Sequence, residues 1–323
     1  MSRRRLTSLE ICAGAGGQAI GLEKAGFRHL ALVEIDKHAC QTLRQNRPRW
    51  AVRECDLKDF ADAVTPSDYP SLDLIAGGVP CPPFSIAGQQ KGSDDERDLF
   101  PQAMRLVRVL NPRAVMIENV RGLMASRFDD YRAGILASLR ELGYVADWRL
   151  LLASDFGVSQ LRPRTVLVAI KSDWASAFEW PLPGRVVPKT VGEQLKDAMA
   201  MNGWEGAEAW AESAKSIAPT IVGGSKKHGG PDLGPTRAKA AWARLGVDGK
   251  GVANTAPSAQ FSGSPKLTVE MVAALQGFPP DWRFTGGKTS SYRQVGNAFP
   301  PPVAEAVGRS IAAALRADQP LPG

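Results

Sequence analysis

The sequence predicts an α/β protein, a doubly wound and mostly parallel sheet with a smaller second domain. Three observations carry that reading. Short apolar runs alternate with amphipathic stretches through the first half of the 323 residues, the order of a sheet covered by helices. A glycine-rich turn, Ala13-Gly14-Ala15-Gly16-Gly17, stands between the first apolar run and the first amphipathic one, as at the first strand-helix turn of a nucleotide-binding sheet. After Lys171 the periodicity weakens and the composition shifts.

The elements follow in order. Residues 6–12 read as a strand and 18–25 as the helix behind the glycine turn. A second strand and helix fall at 30–34 and 38–46, then strands at 51–54 and 72–76. Residues 100–110 are helical, 114–118 a fifth strand, and 131–142 an amphipathic helix. Two strands end this part, 145–152 and 165–170, joined by a short link with Gly157 and Pro163. A link that short implies antiparallel pairing at one edge. Trp180-Pro181-Leu182-Pro183-Gly184 then punctuates the chain, and residues 199–264 are rich in Gly, Ala, Lys and Trp. Order returns with a helix at 267–276, N-capped by Thr268, and a final amphipathic helix at 302–317 that should pack back on the sheet. The expected division is residues 1–198 with 285–323 as one domain and 199–284 as the other.

Net charge is +7, from 40 Lys and Arg against 33 Asp and Glu. That balance favours an acidic partner, nucleic acid being the commonest. Between residues 213 and 251 seven basic residues face only Asp232 and Asp248. The four cysteines form no Cys-x-x-Cys pair and the three histidines complete no zinc pattern. The expectation is a chain with no metal, in a reducing, cytoplasmic compartment. No window is apolar and long enough to span a bilayer, so no membrane partner is expected.

Chemistry-bearing residues gather at the ends of expected strands, where open α/β sheets bind ligands. Gly14, Gly16 and Ala19 satisfy a G-x-G-x-x-A pattern, and Glu34 ends the second strand about 20 residues on, the spacing of a carboxylate that meets a ribose. A dinucleotide and S-adenosylmethionine both present such a ribose. Asp56, after the third strand, is a second acceptor suited to an adenine amino group. Cys81 lies in Gly77-Gly78-Val79-Pro80-Cys81-Pro82-Pro83-Phe84-Ser85, a stiff turn directly after a buried strand, where a thiol is placed like a nucleophile. Taken alone, a Cys in this position is more often a small buried side chain than a catalyst. Glu118 ends the fifth strand, and Gln160, Arg162 and Arg164 lie near the edge hairpin, the two arginines on one face.

In order and spacing these pieces resemble the DNA cytosine-5 methyltransferase family, of the bacterial or phage modification type. The matches are Ala13 to Gly17, Glu34, Asp56, Pro80-Cys81, Glu118-Asn119-Val120, Gln160/Arg162/Arg164, Leu267-Thr268, Leu275 to Pro279, and Gly296-Asn297. The resemblance implies a Rossmann-like methyltransferase sheet with one antiparallel edge strand and a target-recognition domain over the basic region. It implies S-adenosylmethionine held by Ala13, Gly14, Ala15, Gly16, Gly17, Glu34, Ile35, Asp56, Leu57 and Asn297, the last also bracing the cysteine loop. It implies Cys81 as nucleophile on cytosine C6, Glu118 on N3, Arg164 on the O2 side, and Arg162 on the loop or a phosphate. The substrate would be double-stranded DNA with the base flipped out, contacted by Ser85, Gln89, Gln160, Thr220, Lys226 and Lys227. A monomer is expected, serving a restriction-modification system. Three positions depart from the family: Cys12 stands where Phe packs on adenine, Pro265 where an Arg is frequent, and Pro82 where many relatives have Gln. Ile35 is the expected substitute for the missing Phe. Three other readings compete. A nicotinamide-dependent oxidoreductase leaves Pro80-Cys81 and Glu118-Asn119 unexplained. A tRNA cytosine-5 methyltransferase on the same scaffold lacks a large recognition segment. A catalytically silent DNA-binding member is at odds with intact Cys81, Glu118 and Arg164.

Overall fold

In a computed structural model of the chain, the described residues are 4–80, 98–184, 186–223 and 230–317. Seven strands form one sheet: β1 (Leu6–Ile11), β2 (Phe27–Glu34), β3 (Val52–Glu54), β4 (Leu74–Gly77), β5 (Ala114–Val120), β6 (Tyr144–Leu152) and β7 (Pro163–Lys171). Their order is β3-β2-β1-β4-β5-β7-β6. The first five pair in parallel. The last two pair antiparallel, and β7 also runs antiparallel to β5. The antiparallel strand therefore sits one place in from the edge, with β6 outermost. Residues 153–162 are too few for a crossover helix, so β7 must turn straight back. The burial follows: β7 is buried at every position but its two ends, while β6, at the edge, buries only Tyr144 and Trp148.

Twelve helices surround the sheet among the described residues: α1 (Gly17–Lys24), α2 (Lys37–Asn46), α3 (Leu57–Ala63), α4 (Phe100–Leu110), α5 (Asp129–Glu141), α6 (Ser172–Ala175), α7 (Val191–Ala200), α8 (Ala207–Ser213), α9 (Thr236–Ala243), α10 (Val269–Leu275), α11 (Lys288–Asn297) and α12 (Pro301–Arg316). One face of the sheet, with Leu9, Ile11, Ile75 and Ile117, packs against α3, α4 and α5. The opposite face, with Leu6, Leu74, Met116 and Val168, packs against α1 and α12. Along α12, Val303, Val307 and Ile311 recur at helical spacing and are fully buried, each such burial contributing roughly 1.5–3 kcal/mol. The order of the strands reverses between β1 and β4, the switch point at which such sheets open a crevice.

Most of the expected elements are present, with shifted ends. Thr268 caps α10, accepting from the Met271 amide at 3.3 Å. The second strand starts at Phe27, earlier than its apolar run suggests, because Gly26 turns the chain with φ of 96°. Helices α3, α8, α9 and α11 carry weak sequence signals. In α11, Lys-Thr-Ser-Ser-Tyr-Arg-Gln-Val-Gly-Asn contains few strong helix formers, and its place is set by packing. The region after residue 190 shares a continuous core with the sheet side of the molecule: Trp204, Trp210 and Trp242 belong to the same buried cluster as Ile20 and Leu43. Helix α7 runs through the expected boundary at 198/199 and buries Val191, Leu195 and Met199 in that cluster. No helix among the described residues is long and apolar enough to cross a membrane.

Candidate active site

A cavity of about 330 Å³ opens at the carboxyl ends of the strands, around the switch point, within the size range of small-ligand sites. One end is built on β1, β2 and β3. Strand β1 stops at Ile11 because Cys12 turns to a φ of 50°, and the chain then winds through the glycine turn into α1. Glu34 holds the turn: its Oε2 accepts from the Gly14 amide at 2.7 Å, and its Oε1 accepts from the Ile35 and Asp36 amides at 2.9 and 2.7 Å. Burial nonetheless raises the Glu34 pKa above the usual range, against those hydrogen bonds. A carboxylate has about four lone-pair sites, so one remains for a ligand hydroxyl. The Trp282 indole braces the turn from behind by donating to the Ala15 carbonyl at 3.1 Å.

Two glycines are required here. A Cβ on Gly17 would lie 2.3 Å from the Phe299 carbonyl oxygen, and Gly16 has φ of 89° with Leu43 and Trp282 against it. Ala13, Gly14, Ala15, Gly17, Glu34, Ile35, Asp56, Leu57 and Asn297 all line the cavity. Gly16 does not; it caps α1 from beneath. Ile35 is 64% exposed at the rim although strongly apolar, as a platform for a flat ring would be. Cys12 lines the same wall, and burial pushes its thiol pKa far up, so it is an inert wall and no nucleophile. Asp56 caps α3 through its Oδ1, accepting from the Lys58 amide at 2.7 Å.

The other end is built on β4 and β5. Glu118 and Gly78 line it together with Pro80. Gly78 lets the backbone approach the carboxylate, since a Cβ there would stand 3.2 Å from Glu118 Oε2. The register pairs Glu118 with Val166 and Val120 with Arg164, and the Arg164 Nε reaches Glu118 Oε1 at 2.6 Å, both side chains nearly buried. Burial raises the Glu118 pKa, and the charges of Arg164 and Arg162 pull it down less than burial lifts it. The group is thus able to carry a proton where an ordinary carboxyl has lost it. Asn119 donates from Nδ2 to the Val79 carbonyl at 2.9 Å, pinning the segment that leads to Cys81. Cys81, Ser85, Gln89, Lys226 and Lys227 lie outside the described residues.

Two expectations are corrected. Arg162, expected on the cysteine loop or a phosphate, has its side chain wholly buried. Its Nη1 donates to the Ile221 carbonyl at 2.6 Å, and its Nη2 donates to those of Gly296 and Ala298 at 2.7 and 3.0 Å. The guanidinium ties the start of β7 to residues 221 and 296–298. Gln160, expected to contact DNA, is wholly buried too. It accepts from the Ile221 amide at 2.9 Å and donates to Gln276 Oε1 at 2.7 Å. Thr220, half-buried, donates its hydroxyl to the Leu161 carbonyl. Lys239, from the basic stretch, is paired with Asp232 at 2.7 Å.

Several lining residues escape a reading of the sequence: Glu10, Gln18, Arg293, Gln294 and Phe299. For Glu10 a signal exists, a lone carboxylate inside a strand buried at every position. The residues from α11 and its junction with α12 come from the far end of the chain and carry no local motif. Among the described residues no group of three His, Cys, Asp or Glu side chains stands ready for a metal.

The family profile for C-5 cytosine-specific DNA methylase matches residues 6–313. The chain is 60% identical over 313 residues to the Type II methyltransferase M.NaeI of Lentzea aerocolonigenes, covering 96% of this chain and 75% of that one. It is 53% identical over 315 residues to M.NgoMIV of Neisseria gonorrhoeae, covering 97% and 99%. Among solved structures, the fold resembles Entamoeba histolytica methyltransferase EhMeth, with a TM-score of 0.67 and 13% identity over 98% of this chain and 100% of that one. It also resembles a Spodoptera frugiperda DNMT2 variant, with a TM-score of 0.64 and 16% identity over 95% and 99%.

Proposed function

The chain belongs to the C-5 cytosine-specific DNA methylase family, and from that premise we propose that it transfers a methyl group from S-adenosylmethionine to C5 of a cytosine flipped out of double-stranded DNA, in one sequence context, through a covalent bond between Cys81 and C6. The observation that carries this reading is one cavity shared by two groups of residues. The Glu34-held glycine turn suits a nucleoside at one end, and the Glu118–Arg164 pair suits a pyrimidine at the other. Orphaned polar atoms on the wall, Glu10 Oε2 and both ends of Gln18, suit a ligand with charged groups beyond its nucleoside.

The fit to the cofactor is residue by residue. Glu34 takes a ribose hydroxyl, Ile35 offers the adenine its apolar face in place of the absent aromatic, and Asp56 accepts from the adenine amino group. When bound, the cofactor supplies an electrophilic methyl on a sulfonium. At the other end the Cys81 thiolate adds to C6, breaking the C5–C6 double bond and making C5 a nucleophile. Glu118 donates its proton to N3, so the electron pair is drawn into the ring and the adduct forms without a full charge on nitrogen. Arg164 fixes Glu118 and the O2 side of the ring. C5 takes the methyl as the carbon–sulfur bond breaks to leave a thioether; a base then removes the C5 proton, the returning electron pair expels Cys81 as thiolate, and N3 returns its proton to Glu118. Flipping the base costs a few kcal/mol, and the charge of residues 213–251 offsets part of it through phosphate contacts. Residues 199–284 are the recognition unit in this reading, acting as the modification half of a restriction-modification pair in the cytoplasm, and the chain works as a monomer.

The test is conversion sequencing of unmethylated genomic DNA treated with the purified chain and S-adenosylmethionine, beside Cys81→Ser. Protected cytosines in one short context, absent from the Cys81→Ser lane, are expected. Protection that survives Cys81→Ser removes the covalent step, and protection found only on tRNA moves the substrate to RNA.

A further inference from the structure

The stretch from Leu233 to Val247 carries Arg237, Lys239 and Arg244 and no acidic residue. Its middle is α9, Thr-Arg-Ala-Lys-Ala-Ala-Trp-Ala, rich in alanine and so helix-forming without long side chains. Gly246, with φ of 66°, turns the chain away after the helix. One side of α9 is anchored: Trp242 is wholly buried, and Leu233, Leu245 and Val247 join it in the shared core. The other side is bare, with Thr236, Arg237, Ala240, Ala243 and Arg244 all exposed. The carboxylates that flank the helix are already engaged, Asp232 by Lys239 at 2.7 Å and Asp248 by Lys266 at 3.7 Å. No acid among the described residues pairs with Arg237 or Arg244. A rigid helix therefore presents two unneutralised guanidinium groups on a face of small side chains.

The helix also stands beside the active-site cavity. Burial raises the Tyr292 pKa, and the charge of Asp232 adds to it, which sets Asp232 close to that ring. Tyr292 donates its hydroxyl to the Val222 carbonyl at 3.1 Å, and the next residue, Arg293, lines the cavity. A duplex that delivers a base to the cavity has α9 within reach. The major groove is about 12 Å wide and admits one α-helix. Short side chains on the outward face let the backbone enter, where long ones would hold it off. Resting on the DNA reading above, we propose that α9 lies in the major groove of the target duplex, with Arg237 and Arg244 each reading a guanine. The guanidinium fork matches the O6 and N7 acceptors of guanine, the commonest specific contact in that groove. The two arginines lie about two turns apart on one face, a separation of about 10 Å. Base pairs follow one another at about 3.4 Å, so the guanines stand about three steps apart, with Ala240 over the bases between them.

The experiment reads binding as well as methyl transfer. Conversion sequencing first gives the context that the wild-type chain protects. Fluorescence anisotropy then measures the full chain, Arg237→Ala, Arg237→Lys and Arg244→Ala on a duplex with that context and on duplexes changed at one base pair each, over a range of salt. Arg237→Ala is expected to bind the unchanged duplex about 5- to 150-fold more weakly, the range for one bidentate base contact. It should no longer distinguish that duplex from the one changed at a single guanine, while discrimination at every other position persists and shows that the variant is folded. Arg237→Lys keeps the charge and loses the planar fork, so its salt slope should match wild type while its preference for that guanine falls. Arg244→Ala should do the same as Arg237→Ala at a second guanine, about three steps away. A loss equal on all duplexes, with the salt slope flatter by about 0.9 for each arginine removed, would make both residues phosphate contacts and overturn the inference. Unchanged affinity and context, or a wild-type context without guanine, would overturn it too. In these cases the wild-type chain still methylates one context, so the functional reading stands. A wild-type chain that protects no cytosine and prefers no duplex overturns that reading, and this inference with it.

Discussion

Replacing Arg162 by Met is the sharpest test of what the tertiary structure adds, because sequence and structure assign that residue different work. The guanidinium is wholly buried and donates to three backbone carbonyls, those of Ile221, Gly296 and Ala298. Met fills a similar volume and removes the buried charge, so no unpaired ion is left behind. What remains is three carbonyl oxygens without donors, at roughly 1–3 kcal/mol each when buried. The expected loss is about 3–9 kcal/mol, a large part of the 5–15 kcal/mol that a folded domain commonly has. Equilibrium unfolding in urea reads it directly, as a lowered midpoint at unchanged slope. A second readout is selective: residues 216–223 should become sensitive to protease before the sheet unfolds, because Ile221 has lost its anchor. A loss below about 1 kcal/mol, or weakened DNA binding at full stability, would refute the bracing role and restore Arg162 to the nucleic-acid surface.

Gly17→Ala sets a Cβ at 2.3 Å from the Phe299 carbonyl oxygen; a loss of about 1–3 kcal/mol and weakened binding of S-adenosylhomocysteine are expected, and a wild-type melting curve with wild-type affinity would contradict it. Glu118→Gln is expected to slow methyl transfer by about 10²–10⁴-fold. In the native enzyme the burial-raised pKa keeps Glu118 protonated above the ordinary carboxyl range, so the single-turnover rate should fall as pH rises through that raised value, and this limb should vanish in Glu118→Gln. The same sign holds for stability: a carboxyl whose folded pKa is raised favours the fold at low pH, and this is lost as pH rises from the unfolded value through the folded one. Lys226→Ala with Lys227→Ala should lower DNA affinity and flatten the plot of log affinity against log salt by about 0.9 for each phosphate no longer neutralised; an unchanged slope removes both lysines from the interface.

Local sequence is enough to specify the sheet, the place of the ligand crevice and the residues at its two ends. Strand and helix periodicities are local, and so is a glycine turn that only glycines can make, at Gly17 because of Phe299 and at Gly16 because of its left-handed backbone. Glu34, Asp56 and Glu118 could be named because each is a polar residue at or just beyond the end of a strand. Whatever depends on which distant segments meet belongs to the tertiary structure. Gln160 and Arg162 look like surface polar residues on a hairpin. They become interior braces only because residues 218–222 and the end of α11 fold over them and bring backbone carbonyls that need donors. The position of β7 follows from the shortness of its link, and the shared core of Trp204, Trp242, Ile20 and Leu43 from packing between parts of the chain about 200 residues apart. Glu10 and Gln18 stand between the two cases: their identity is plain in the sequence, but that they are buried, incompletely paired and turned toward one cavity follows from the closing of α1 over β1, a fact no window of local sequence contains.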